Sequence, residues 1–343
     1  MDIEFHYYIT GLIAAKAGFP PDQATIIAHS SQYVDDNDIR YEIDKGKASS
    51  YRNYISQTMN ILKPKAKLLR IYPIFHFIPG DPKAKTAWRK DGKLHWLNTT
   101  PNSSNANAIM DKALESDDIY RIGIAAHGYV DTWAHQNFVG YYADFNALAG
   151  PLESATPNIG HADARHHPDW PGLVWRDQRL IEERVDNKAR FLAASIHLLE
   201  KLARFVDNKM DAKELGIRKK ALTRDLKKAI GETDQSNSWA GERTAKYIEL
   251  SESEAYGSSR LVKYDPEQWF DDVVNEQVRG LRDRSDSLLT RFDPASDIYT
   301  WRNSKKRKQS DWCKFQEAVK SHQSETWEIL EASNLKGLQL EAL

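Results

Sequence analysis

The chain has 343 residues, 41% apolar and 28% charged, with a formal net charge of −1. This is the composition of a globular protein with ample material for a core, and its near-neutrality excludes a global field drawing it to nucleic acid or to an anionic membrane. No apolar run reaches the roughly 18–20 residues of a membrane span. The single cysteine, Cys313, excludes an internal disulfide framework. The N-terminus lacks a basic start, so the expectation is a cytoplasmic protein, or one exported by a non-classical route.

In chain order, residues 3–17 read as a helix with no breaker before Gly18. Pro20-Pro21 opens a second helix, with Asp22 as an acid in its first turn, running to about Val34 or Asn37. Residues 68–82, LLRIYPIFHFIPGDP, are β-branched and aromatic with three prolines and read as an extended segment or edge hairpin. A helix is expected from about Asn105 to Tyr142, with a break near Ser116–Asp118. Residues 150–175 carry four prolines and three glycines and are expected to be irregular. Helical periodicity then resumes over 177–208, 211–230, 239–257, 266–291 and 310–334. The fold class is mostly α, with a core over residues 1–215 and a helical C-terminal extension over 216–343 packed on it.

Ten of the eleven histidines precede residue 200, and five lie between residues 127 and 167. His127, Asp131 and His135 are spaced four apart in the apolar stretch IAAHGYVDTWAHQNFVG, on one face of a helix. Burying such groups costs free energy unless each finds a partner, and a metal ion satisfies all three at once. Further candidates are His6 in EFHYY, Asp35 and Asp36 in VDDND, His76 in PIFHFIPGD, and His161, Asp163 and Asp169 in GHADARHHPD. Imidazole and carboxylate together suit zinc and related divalent ions where thiolates are absent. The competing readings are a buried hydrogen-bond network for the helix triplet and a proline-rich surface loop for GHADARHHPD. His95, His197 and His322 read as ordinary surface or core residues. VDDND is not an EF-hand loop, because the glycine and closing Glu are missing. No His-Asp dipeptide, Glu-x-x-His, H-E-x-x-H, G-x-S-x-G, P-loop or G-x-G-x-x-G occurs.

The order of these residues resembles the zinc-dependent phospholipase C and single-strand nuclease superfamily. That order is an N-terminal His, then an Asp, a His, His-x-x-x-Asp with a following His, and a further His with an acid. The stretches DIEFHYYITGLIAAKAGF…IAHSSQYVDDND and AAHGYVDTWAHQNFVG…GHADARHHPD also look like an uncharacterised bacterial family distantly related to it. The resemblance covers about residues 1–190 and implies an all-α bundle with long irregular loops and three zinc ions in a cleft. One metal position would use Asp35 or Asp36, His76, His127 and Asp131. A second would use His135, His161 and an acid, and a third His6 with a bridging Asp131. Two departures follow. In the superfamily the processed N-terminal residue completes the third site, whereas Met1 here lies five residues before His6. The acid expected four residues after His161 is replaced by Arg165, so that Asp163, Asp169 or His166/His167 must substitute. Two zinc ions are therefore the safer expectation than three, with iron or manganese also compatible with these donors.

The resemblance implies a metal-dependent hydrolase of phosphoric esters acting on a phospholipid headgroup, a nucleotide or single-stranded nucleic acid. Asp35 or Asp36 would accept the proton of the attacking water, and Arg165 or Arg176 would neutralise charge on phosphate. Trp133, Trp170, Trp175 and Tyr129 would wall the cleft or pack the core. The basic run RNSKKRKQSDW (302–312) reads as a solvated loop or an anion contact. The alternatives are a metal-dependent amide or ester hydrolase, an iron or manganese oxidase, or a toxin or defence component with structural metals.

Overall fold

The computed structural model describes residues 1–58, 68–148, 159–277, 297–333 and 335. The chain opens with a π-helical turn at Glu4–Ile9 that continues into α1 (Thr10–Ala17). Gly18 ends α1 at φ 109°, a left-handed conformation that favours glycine. α2 (Pro21–Asp36) starts with proline at its first position, where the missing N–H costs nothing. The expected break at 116–118 separates α3 (Ser104–Glu115) from α4 (Ile119–Ala134). Ser103 caps α3 by accepting from Ala106 N–H, and Asp118 caps α4 by accepting from Tyr120 and Arg121 N–H.

α4 is the axis of the molecule. Every residue from Tyr120 to Ala134 is buried, so the helix is apolar nearly all round. It packs against α2, α3, α5 (Asn187–Val206) and a long final helix. α6 (Ala212–Ile230), α7 (Ala240–Ser251) and the short α8 (Gln268–Asp271) precede that final helix, α9 (Asp311–Ala332). Asp186, Asp211 and Ser310 cap α5, α6 and α9. One apolar cluster runs from Met1 to Leu335 and includes Trp269, Phe270, Trp312 and Phe315, so the segment after residue 215 shares its core with the first part of the chain.

The strands are short. β1 (Glu42–Ile43), β2 (Tyr51–Arg52), β5 (Val274–Gln277) and β6 (Ile298–Trp301) form a sheet in the order β2-β1-β6-β5. β1 runs parallel to β6, with Ile43 opposite Tyr299, and the other pairs are antiparallel. β3 (Val174–Arg176) and β4 (Arg184–Asp186) make a separate hairpin. Among the described residues no helix is long and apolar enough to cross a membrane.

Four expectations are corrected. Residues 72–76 form a π-helical turn rather than a strand, because Tyr72 and His76 are held inward by side-chain bonds to backbone carbonyls. Residues 177–186 belong to the β3–β4 hairpin, and helix begins only at Asn187 after its Asp186 cap. The helix expected over 266–291 is limited to Gln268–Asp271 before β5 takes over, and 278–296 lie outside the described residues. α4 stops at Ala134, so His135 is its C-terminal cap and 136–142 are irregular. Of the irregular stretch 150–175, residues 159–175 are described, with a single 3₁₀ turn at Ala162–Ala164 before β3.

Candidate metal centre

α4 places His127 and Asp131 one turn apart at the core of the molecule, and His135 follows at its end. Around them gather His6 from the N-terminal π turn, Asp35 from the end of α2, His76 from the 72–76 turn, and His161 and Asp169 from the loop before β3. Among the described residues three groups result, each with its potential donor atoms within 4.8 Å of one another: His6, His127 and Asp131; Asp35, His76 and His127; and His135, His161 and Asp169. Asp131 is common ground. Its Oδ1 lies 3.2 Å from His6 Nε2, and its Oδ2 lies 3.2 Å from His127 Nε2, 3.5 Å from His135 Nδ1 and 3.7 Å from His76 Nδ1.

The outward nitrogens of four imidazoles are tied to backbone carbonyls. His127 Nδ1 donates to Ser31 O at 2.8 Å, and His135 Nδ1 to His76 O at 2.8 Å. His76 Nε2 donates to Ser56 O at 3.0 Å, and His161 Nδ1 to Arg165 O at 2.7 Å. A carbonyl only accepts, so in each neutral ring the proton sits on that nitrogen and the other presents a lone pair. Those remaining nitrogens face inward. His127 Nε2 and His76 Nδ1 stand 3.0 Å apart. His135 Nε2 and His161 Nε2 lie 3.5 and 3.6 Å from the same Asp169 oxygen. Two lone pairs at 3.0 Å repel unless a proton or a cation lies between them. Both ring nitrogens of His6, Asp131 Oδ2 and Asp169 Oδ1 are buried without a hydrogen-bond partner. Such orphans are costly in an apolar interior, and a cation among them removes the cost. The donor set fits divalent metal, and the carbonyl-anchored rings are the outer support that metal-binding histidines use.

The electrostatics agree. Burial alone would raise the Asp131 carboxyl, but His135, the Met1 amino group, His127 and His6 outweigh it and hold it well below the carboxylate range. Asp169 is depressed against its own burial by His161, the amino group and His135. Burial, with His127 and the amino group beside it, lowers His6 to about 3 and keeps that ring neutral. Burial lowers His127, but Asp35 and Asp131 overcome it and its net shift is upward. The amino group of Met1 reaches into the centre, bonded to Asp131 Oδ1, 3.4 Å from His135 Nε2 and 3.6 Å from Asp169 Oδ1. The centre is open to solvent at Asp35, whose side chain is 30% exposed, and at His161, whose side chain is 20% exposed.

Not every candidate joins these groups. Asp36 turns away to accept from Gln32 Nε2 at 3.1 Å and Tyr264 OH at 2.8 Å, because consecutive residues at a helix end point in different directions. Asp163 is buried and accepts from Leu148 N–H at 3.4 Å, and Asp169 takes the position beside His135 and His161. The Arg165 side chain is exposed; what that residue brings to the centre is its carbonyl, presented from a left-handed φ of 52°. His166 is exposed and His167 packs on Trp175. Sequence reasoning counted Met1 as a departure, yet its amino group reaches Asp131, and it missed the carbonyls of Ser31, Ser56, His76 and Arg165. A carbonyl is common to every residue, so no side-chain pattern marks these four.

Missed as well was Arg243 on α7. Its Nε and Nη2 grip the Glu4 carboxylate at 2.8 Å each, and its Nη1 holds Asp234 at 2.9 Å. Asp234 N–H in turn donates to Gly172 O at 2.8 Å. One buried guanidinium thus ties together the turn bearing His6 and the loop that follows Asp169.

Among curated proteins and among solved structures, none matches this chain. Residues 1–330 match a family described as of unknown function, DUF6765, and the chain belongs to that family.

Proposed function

We propose that this protein is a multinuclear metal-dependent hydrolase of phosphoric esters, with zinc the first candidate ion. The observation that carries the reading is the set of four histidines anchored to backbone carbonyls, whose free nitrogens converge with Asp35, Asp131 and Asp169. Asp35, His76 and His127 would hold one ion, and His135, His161 and Asp169 a second. His6 and Asp131 Oδ1, beside the Met1 amino group, offer the donors of a third; with its Oδ2 3.2 Å from His127 Nε2, Asp131 would also serve the first ion and so act as a bridging carboxylate. Closely spaced divalent ions acidify water and neutralise charge on a phosphoryl group. Asp35, the acid with partial solvent access, is placed to accept a proton from water arriving at the open side. That opening favours a reactive centre over a purely structural one, which is normally closed by protein ligands. The substrate class, whether lipid headgroup, nucleotide or single-stranded nucleic acid, is part of this proposal and rests on the superfamily resemblance.

The test is elemental analysis by plasma mass spectrometry alongside hydrolysis of bis-p-nitrophenyl phosphate. Asp131→Ala is expected to remove more than one metal equivalent, and His135→Ala about one. Both variants are expected to lose phosphodiesterase activity. Metal contents equal to wild type in both variants would refute the bridging role. Iron or manganese in place of zinc, with no phosphodiesterase activity, would move the same donors to oxidative or other hydrolytic chemistry.

A further inference from the structure

A strap of residues 82–98 and the loop of the β3–β4 hairpin meet on one face of the molecule. Ile181 N–H donates to Trp88 O at 3.3 Å, Lys90 N–H donates to Arg179 O at 2.9 Å, and Arg89 bridges Leu180. Arg89 is buried beneath the strap, where it donates to Phe145 O at 2.8 Å and lies 4.2 Å over the Phe145 ring. His95 packs against the same ring with centroids 5.5 Å apart. The frame is thus fixed from inside by specific bonds. On this ordered frame stand four large apolar side chains in solvent: Trp88 at 50% exposure, Leu94 at 57%, Trp96 at 66% and Ile181 at 55%. A single exposed apolar residue needs no explanation, but several carried by one hydrogen-bonded strap and hairpin mark an interaction surface.

The charge around them narrows the partner. Between residues 82 and 98 stand five cationic residues, Lys83, Lys85, Arg89, Lys90 and Lys93, against one acid, Asp91; Lys90 pairs with Glu183 of the hairpin, and Arg89 and Lys93 lie beside Asp91, so the positive character of the face rests on Lys83 and Lys85. The four lysines are exposed. Lysine is depleted at protein–protein interfaces, whereas tryptophan and lysine together are the residues of the membrane interface. There the indole sits at headgroup level, aliphatic side chains reach the acyl boundary, and ammonium groups meet anionic lipid. We propose that this face docks on the headgroup layer of an anionic lipid bilayer. The attraction is local, so it requires no net positive charge on the whole molecule. The docking is independent of the metal centre and of the ester-hydrolase reading.

The full chain is tested by co-sedimentation with sucrose-loaded vesicles of phosphatidylcholine alone, and of phosphatidylcholine with about a third phosphatidylglycerol. Binding is expected to the mixed vesicles, to be weaker on phosphatidylcholine, and to fall as salt is raised. The double variant Trp88→Ala/Trp96→Ala and, separately, Lys83→Glu/Lys85→Glu are each expected to reduce partitioning about tenfold or more. Both pairs are solvent-exposed, so circular dichroism and melting temperature should match wild type. Absence of binding to either vesicle, or binding unchanged in both variants, overturns the proposal. A wild-type dimer in analytical ultracentrifugation that Trp88→Ala/Trp96→Ala dissolves, without vesicle binding, would assign the face to a second copy of the chain and also overturn it.

Discussion

Gly123 and Gly128 show how single residues set the geometry of the centre. A Cβ on Gly123 would stand 2.6 Å from Ile27 O and 2.6 Å from Ser30 Cβ. α2 therefore lies directly on α4, which brings Ser31 O to His127 and Asp35 over the cluster. A Cβ on Gly128 would meet Phe75 O at 2.9 Å, beside the turn that carries His76. Gly123→Ala must push backbone against backbone, and a cost of about 1–3 kcal/mol is expected from overpacking. Urea unfolding measures it, and a variant as stable as wild type would show that α2 and α4 have slack to separate. Small residues at these positions are visible in the sequence, but their purpose is not. Glycine in a helix reads as a weakness until the neighbour that needs the space is known.

At the scale of elements, α7 is the strut that holds the N-terminal turn. Arg243 and Glu4 are each about 1% exposed, and their bidentate pair is fully buried. Arg243→Met leaves the Glu4 carboxylate without its counter-charge in the core. Breaking a buried pair from one side costs about 3–5 kcal/mol. Glu4→Gln combined with Arg243→Met is expected to recover part of that loss in the same urea titration, because the charge stranded at Glu4 is gone, while Asp234 keeps its bonds from Ser238 and Trp239 N–H. A single variant no more than marginally less stable than wild type would mean that water reaches Glu4. The helical reading of 239–257 anticipates α7 but not this bond, since the partners are separated by 239 positions in the chain. The correction at 72–76 has the same origin. A β-branched, aromatic stretch has strand propensity, and it is overridden where Tyr72 donates to Thr58 O and His76 to Ser56 O.

For the whole molecule, pH is the accessible variable. His29 is stacked on Trp269 among Tyr7, Tyr33 and Tyr264, and burial lowers it from 6.5 to about 3. His322 on α9 is lowered to about 3 by burial and by nearby Arg121, with His127 a smaller influence and Phe75 packed against it. Both stay neutral in the folded protein while the unfolded chain takes up protons below 6.5. Their contribution to stability is complete above 6.5 and is lost progressively as pH falls toward 3. Melting temperatures are expected to decline over that window, and His29→Phe with His322→Leu to flatten the decline. An unchanged slope in the double variant would place the acid sensitivity in His6, lowered over the same range, or in the carboxylates instead. The depressed Asp131 and Asp169 act in the same direction at lower pH: their stabilisation is present above the ordinary carboxylate range and lost as pH falls through their folded values.

By itself the sequence determined the mostly helical architecture, the break between α3 and α4, and the residue types that meet at the centre. Helical period, capping residues and the scarcity of polar groups in the α4 stretch are local, so they are written in neighbouring letters. The spacing of His127, Asp131 and His135 is legible for the same reason. Only the tertiary structure decided that Asp35 rather than Asp36 enters the cluster, that Asp169 rather than Asp163 joins His135 and His161, and that Arg165 acts through its carbonyl. It alone brought together the Arg243–Glu4 pair and the exposed face of Trp88 and Trp96. These outcomes depend on the direction of side chains and carbonyls set by contacts between distant segments, and a one-dimensional pattern carries no such direction.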